Sequence, residues 1–258
     1  MLSVINLDYV TVFLLVFGRL AGFFVTLPIF SYRNIPTQFK IGFAAFVSLM
    51  IMFTLDIPVI DLDLTFVFLL VKEVIIGLII GFVANIIMTA IQIAGNFIDF
   101  QMGFAIANVI DPQTGAQGPV IGQYLYIFSL MFLLAVDGHH LLIQGAIHSF
   151  DIIDVDQLID LGQGRLLMTA VNMFTQLFLI AFQMAIPIVG TLFLVDVTLG
   201  IIARTVPQLN VFVVGIPLKI GVSLFVLSLF MMAYIDLVKR LVHYVIEMME
   251  MLMRILGG

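Results

Sequence analysis

Lysine and glutamate stand side by side at positions 72 and 73, inside the apolar run from Leu64 to Ile98. An ionisable group at membrane depth is costly, so each must meet an opposite charge, and such groups mark proton or ion pathways by default. Successive side chains on a helix point about 100° apart, which sets Lys72 and Glu73 on different faces and predicts that each pairs elsewhere. Arg19, Arg204 and Lys219 are available to Glu73, and Asp99, Asp196 and Asp236 to Lys72. These charges are scattered over several segments and not strung along one helix, which favours inter-helix or inter-subunit ion pairs over a relay. The candidate buried ion-pair residues are therefore Arg19, Lys72, Glu73, Arg204 and Lys219.

Asp137, His139, His140 and His148 carry metal-ligating atoms, and His140 and His148 fall two turns apart on one helical face. Zinc sites ordinarily use tighter spacing, such as His-x3-His, and no second dense group of ligands accompanies these. A helix cap at the membrane edge, with Asp137 and Gly138 turning the chain, is the better account, and no metal is assigned. The aspartates at 151, 154, 156 and 160 lack the EF-hand spacing and its glycine. With no cysteine, no G-x-S-x-G, no His-Glu-x-x-His and no phosphate-cradling loop, covalent or metal-assisted catalysis has no support. The expectation is a protein that is not an enzyme and needs no cofactor.

What positions these residues is membrane helix. Hydrophobic residues make up 63% of the 258 positions, charged residues only 10%, and mean hydropathy is +1.25. A soluble domain has roughly 45 to 50% apolar residues and a charged face on each surface helix. This composition cannot supply such faces. The net charge of −6 offers no basic stripe for phosphates, so nucleic acid is not an expected partner. The N-terminal MLSVINLD has neither a basic start nor a small-residue cleavage site, which predicts that the first helix is retained.

Against the roughly 20 apolar residues that a helix needs to cross a bilayer, six segments are predicted: Tyr9 to Phe30, Ile41 to Leu55, Leu64 to Ile98, Val120 to Val136, Leu166 to Val195 and Gln208 to Leu237. Gly18 with Gly22, and Gly77 with Gly81, form small-xxx-small pairs that admit close helix approach. Leu141 to Phe150 reads as brief and amphipathic. Pro187 and Pro217 predict kinks in the last two segments. The tail from Asp236 to Leu256 alternates charges with apolar residues at helical spacing, as an amphipathic helix on a membrane or partner does. Its Met248, Met249, Met251 and Met253 suggest an adaptable helix-in-groove contact, with ordinary apolar filling as the equal alternative. The fold class is all-α: about six long apolar helices or hairpins, several kinked, plus the amphipathic C-terminal helix. Basic residues at Arg33 and Lys40 and acidic loops elsewhere agree with alternating spans until Lys239 and Arg240, which would then lie on the wrong side. One segment is therefore expected not to cross, and Val120 to Val136 is the best candidate.

The stretch from Gly103 to Gln123, GFAIANVIDPQTGAQGPVIGQ, is neither span nor simple connector. Asp111-Pro112 and the glycines after it make a loop, yet it opens on the apolar run Phe104 to Ile110. A nearly uncharged, sticky loop between apolar helices reads as a re-entrant segment, a lid or a plug, with a poorly ordered connector as the alternative.

The segments FGRLAGFFVTLPIF, KEVIIGLIIGF, AGNFIDFQMGF leading into IDPQTG, the DGHH turn and RTVPQLNVFVVGIPLKIG follow one another from about Phe17 to Gly221. In combination they resemble the FliR family of flagellar biosynthetic proteins and its relatives in type III secretion export apparatuses, with the flagellar branch the nearer. The resemblance implies one membrane-embedded export-gate domain: about 1–165 like FliP, with the plug loop at 103–123, and about 166–258 like a FliQ hairpin. It implies a hetero-oligomeric gate with FliP, FliQ and FlhB homologues in the bacterial inner membrane at the flagellar basal body, passing unfolded export substrates. By position it assigns the channel plug to Ile106, Val109, Ile110, Asp111, Pro112 and Gln113. The alternative, from the residues alone, is an ion-coupled secondary transporter of a small substrate using Lys72, Glu73 and helices broken at Pro187 and Pro217. That class predicts internal symmetry, and only a faint echo between Ile35-Pro36 and Ile216-Pro217 exists.

Overall fold

A computed structural model describes residues 7–31, 35–55, 62–104, 119–156, 164–208 and 210–257. All regular structure among them is helical: α1 (Leu7–Thr26), α2 (Thr37–Ile51), α3 (Leu64–Met102), α4 (Val120–Ala135), α5 (Gly138–Ile152), α6 (Arg165–Thr205) and α7 (Val211–Leu256). α1, α3, α6 and α7 are long and apolar enough to cross a membrane, and α4 with α5 would make a fifth span if that broken pair is counted as one. α2, at 15 residues, is shorter than a span. At about 1.5 Å per residue, the 41 residues of α6 and 46 of α7 run to roughly 62 and 69 Å, twice the roughly 30 Å hydrocarbon core.

Three expectations are corrected. The chain stays helical through Pro187 and Pro217, so the broken helices that the transporter reading needs are not formed there, while the expected kinks are compatible with continuous helix. A proline removes one donor, and the neighbouring turns hold the rest of the ladder. The tail is not a separate element, because α7 runs without interruption from Val211 to Leu256. Nor do its methionines await an outside groove: Met248, Met249 and Met253 are buried within the chain and only Met251 of the four is exposed.

The helices gather into two compact units. The first comprises Met1–Ile87, Leu134–Met173 and His243–Gly258. Here α1 and the first half of α3 cross on their glycines, with Gly18 and Gly22 against Val74 and Leu78, and Gly77 and Gly81 against Arg19, Phe23 and Leu27. Without Cβ atoms at the crossing the two backbones come close enough for Leu15, Leu20, Phe23, Ile76 and Ile80 to be completely enclosed. Asn85 Nδ2 donates to the Thr26 carbonyl at 3.1 Å and ties the end of α1 to α3. α2 adds an aromatic cluster in which Phe24 and Phe43 meet edge to face, ring centroids 5.0 Å apart. Asp63 immediately precedes α3, and its carboxylate accepts the Phe66 N–H at 3.0 Å and is held below the usual range by that bond. α5 lies against the last turns of α7, where Gly145 faces Met249 and the Ile152 carbonyl abuts Gly257.

The second unit comprises Met88–Leu133 and Phe174–Val242. α4 crosses α3 at Gly122 on Gly95, again backbone on backbone. The buried Tyr234 hydroxyl of α7 lies 2.8 Å from Ser129 Oγ and donates to the Leu125 carbonyl of α4 at 3.2 Å. Burying a tyrosine costs little when its hydroxyl is satisfied in this way. Along this unit α6 and α7 leave Phe182, Phe193, Phe212 and Phe225 exposed, an apolar surface suited to lipid or to other protein.

Candidate functional site

The glycine crossing of α1 and α3 sets Arg19 beside Glu73. The guanidinium Nε donates to Glu73 Oε2 and one Nη donates to Glu73 Oε1 at 3.0 Å, a bidentate pair. The other Nη donates to the Ser149 carbonyl at 2.7 Å and to its hydroxyl at 3.1 Å, and the first reaches the Ile153 carbonyl at 3.0 Å. The Phe150 ring lies 4.0 Å from the guanidinium carbon, in cation–π contact. Lys72 Nζ donates to the Asp154 and Val155 carbonyls at 2.8 and 2.9 Å and lies 2.8 Å from Glu73 Oε1. Arg19 is 1% exposed, Glu73 0% and Lys72 5%. Such a group can in principle hand on a proton or fix the chain around it.

The sequence argument against a Lys72–Glu73 contact is thereby corrected. The angle between successive Cβ directions does not limit a four-carbon side chain, and in a dry interior the lysine curls round to the nearest carboxylate. Glu73 takes Arg19 from the three cations offered to it. Lys219 pairs instead with Asp196, Nζ to Oδ1 at 2.9 Å, and Gln101 Nε2 joins Asp196 Oδ2 at 2.8 Å. Arg204, expected to be buried, is exposed in the last turn of α6. Asp99 and Asp236, offered to Lys72, are used otherwise: Asp236 lies 3.5 Å from Lys239, and Asp99 serves α4.

The residues assigned to the plug, Ile106, Val109, Ile110, Asp111, Pro112 and Gln113, lie outside the described residues. Their flanks are described and converge on Asp99. Its carboxylate accepts the N–H of Ile121 at 3.0 Å and of Gly122 at 3.2 Å, capping the first turn of α4, while its carbonyl accepts the Phe104 N–H at 3.1 Å. Gly103, at φ 91°, turns the chain out of α3 in a conformation that a side chain would strain. Gly103 also borders a cavity of about 270 Å³ that Asp196 and Lys219 line. We expect Asp99→Ala, which uncaps α4, to cost about 1–2 kcal/mol and to speed hydrogen exchange at Ile121 and Gly122 while leaving Ser129 protected. Sequence reasoning missed this role, although an aspartate late in an apolar helix, ahead of a Gly-Pro that begins another, was the available signal.

Asp137, His139 and His140 do come together, with one ligand atom from each within 4.8 Å of the others. Asp137 is left-handed at φ 56° and makes no side-chain cap bond, so the chain turns there through its backbone, with the carboxylate 3.5 Å from His140 Nδ1. His148 stands apart, at 2.9 Å from Asp151.

Residues 10–245 match the family model described as bacterial export proteins, family 1. The flagellar biosynthetic protein FliR of Bacillus subtilis (strain 168) is 48% identical over 253 residues, which cover 97% of this chain and 98% of that protein. FliR of Escherichia coli (strain K12) is 29% identical over 211 residues, 80% of this chain and 79% of its own length. The Yop proteins translocation protein T of Yersinia pestis is 29% identical over 200 residues, 77% of each chain.

Proposed function

The chain belongs to the bacterial export proteins, family 1, and from that premise we propose that it is a subunit of the flagellar type III protein-export gate. The observation that carries this reading is the 48% identity to a flagellar biosynthetic protein over nearly the whole of both chains. The four long apolar helices suit a membrane-embedded subunit. The exposed apolar length of α6 and α7, twice what a bilayer covers, suits a chain surrounded by other helical subunits. Those subunits are FliP, FliQ and FlhB homologues in the inner membrane, and the part of this chain up to about residue 165 corresponds to FliP and the remainder to FliQ. The role is structural and gating, without catalysis.

Within the gate the segment between α3 and α4 is the closed channel's plug, with Ile106, Val109, Ile110, Asp111, Pro112 and Gln113 obstructing the path. A pore wide enough for an unfolded polypeptide must be sealed against ions when idle, and an apolar segment seals by excluding water while staying weak enough to be displaced. Deleting 106–117 should leave assembly intact and make the membrane conduct ions. Unchanged conductance in an assembled complex would remove the plug from the proposal. The wider reading is tested by gentle detergent purification from the native host and native mass spectrometry. A mixed complex with other small helical membrane proteins is expected, whereas a monomer or symmetric homo-oligomer would return the chain to the transporter class.

A further inference from the structure

The last four carbonyls of any α-helix lack intrahelical partners, and one buried away from water must be satisfied from elsewhere. α5 ends at Ile152; the Ser149 carbonyl in its last turn, which also takes the Ile153 N–H, and the carbonyls of Ile153, Asp154 and Val155 just beyond it accept from Arg19 and Lys72. A donor count makes the arrangement more specific. A guanidinium has five N–H groups, and Arg19 makes five bonds: two to Glu73, one each to the Ser149 carbonyl and hydroxyl, and one to the Ile153 carbonyl. An ammonium has three, and Lys72 meets the Asp154 carbonyl, the Val155 carbonyl and Glu73 Oε1. Both cations are thus saturated, and half of these contacts go to amide carbonyls, which do not take up protons near neutral pH. The cations also sit where the negative end of the α5 dipole favours them.

We infer that Arg19, Lys72 and Glu73 are positioning residues that form a fixed clamp, supplying α5 with its C-terminal cap from α1 and α3, and that no proton passes through them. Glu73 is the tie. It neutralises one charge and holds both cations in register, so that Arg19 takes the last turn of α5 and Lys72 the two residues beyond it. Neither its geometry nor its burial depends on what the protein exports, and the inference rests on the proposed function only for one of its read-outs.

Lys72→Arg and Lys72→Met separate the clamp from a relay. Arginine keeps charge and donors but does not release a proton in a protein, whereas methionine keeps the length and loses both. Each variant is made in the full chain in a flagellated host. Three quantities are read: the amount of chain in the membrane complex, flagellar protein exported per assembled complex, and hydrogen exchange in the purified protein at Ile153, whose N–H closes the last turn of α5 on the Ser149 carbonyl at 3.0 Å. For the clamp, Lys72→Arg exports at the wild-type rate per complex and keeps Ile153 protected. Lys72→Met exchanges Ile153 faster by about tenfold or more, the loss of charge-assisted hydrogen bonds, while whatever complexes still form export normally. Assembled Lys72→Arg complexes that keep Ile153 protected and export nothing would overturn the clamp in favour of a relay. Unchanged exchange at Ile153 in Lys72→Met would remove the clamp. If deleting the whole chain leaves export intact, the proposed function fails while the exchange measurement still decides the clamp.

Discussion

Arg19→Met should be among the most damaging single substitutions in the first unit. It leaves the Glu73 carboxylate, fully enclosed, with only Lys72 beside it, strips the Ile153 carbonyl of the Arg19 donor and leaves the Ser149 carbonyl with the Ile153 N–H alone. Lys72 still neutralises that carboxylate, so the cost comes from the lost bidentate pair and the buried acceptors left short of donors, about 1–3 kcal/mol for each such group. Against a total of roughly 5–15 kcal/mol for a folded domain, a loss of that size is decisive. Thermal unfolding in detergent, with the quantity of chain retained in the membrane, is the measurement. A useful contrast is Lys239→Met, which removes an exposed partner of Asp236 and should change little, within about 0.5 kcal/mol. The double variant Arg19→Met with Glu73→Leu should not recover the loss, since it takes the Glu73 carboxylate from the buried Lys72 ammonium and still leaves the Ile153 carbonyl without the Arg19 donor. Arg19→Met as stable as the wild type would contradict the account of the cluster given above.

How the charges pair shows what a sequence exposes and what it hides. Charged residues inside apolar runs stand out by composition, so Arg19, Lys72, Glu73 and Lys219 could be singled out without a structure. Their partners were less accessible. Half of what Arg19 and Lys72 hold is backbone carbonyl, and a carbonyl has the same signature at every position. The fixed-angle rule for adjacent helical residues misled for Lys72 and Glu73 because it describes Cβ directions and not the reach of a lysine. Helix boundaries failed for a related reason. The fifth apolar segment is predicted to end at Val195, yet α6 continues to Thr205, since Asp196 is neutralised by Lys219 and Arg204 reaches solvent. The glycine pairs were more readable. Spacing of four on a helix marks a face whatever lies against it, although nothing in the sequence said that the Gly18 and Gly77 faces meet each other.

That meeting makes Gly77 the position where the smallest change should have the largest effect. A Cβ built there would overlap the Arg19 carbonyl oxygen and crowd the Phe23 nitrogen at 2.9 Å, both backbone atoms that cannot rotate aside. Gly77→Ala must therefore push α1 off α3, and Gly77→Leu must push it further. Both loosen the packing of Leu20, Phe23, Ile76 and Ile80, and draw Arg19 away from Glu73, one turn before Gly77. Overpacking a core by a methyl or more costs about 1–3 kcal/mol, and the strained ion pair adds to it. Gly77→Leu should leave little folded chain in the membrane. The helix-propensity term works the other way, since alanine is favoured over glycine by about 1 kcal/mol within a helix. The comparison that isolates the crossing is Gly190→Ala in α6 and Gly42→Ala in α2, where a Cβ meets nothing within 4 Å. There only propensity acts in the isolated chain, so its melting temperature in detergent should hold or rise slightly. If Gly77→Ala behaves as Gly42→Ala does, the helices are not in backbone contact at this point and the geometry that delivers Arg19 to Glu73 must be different.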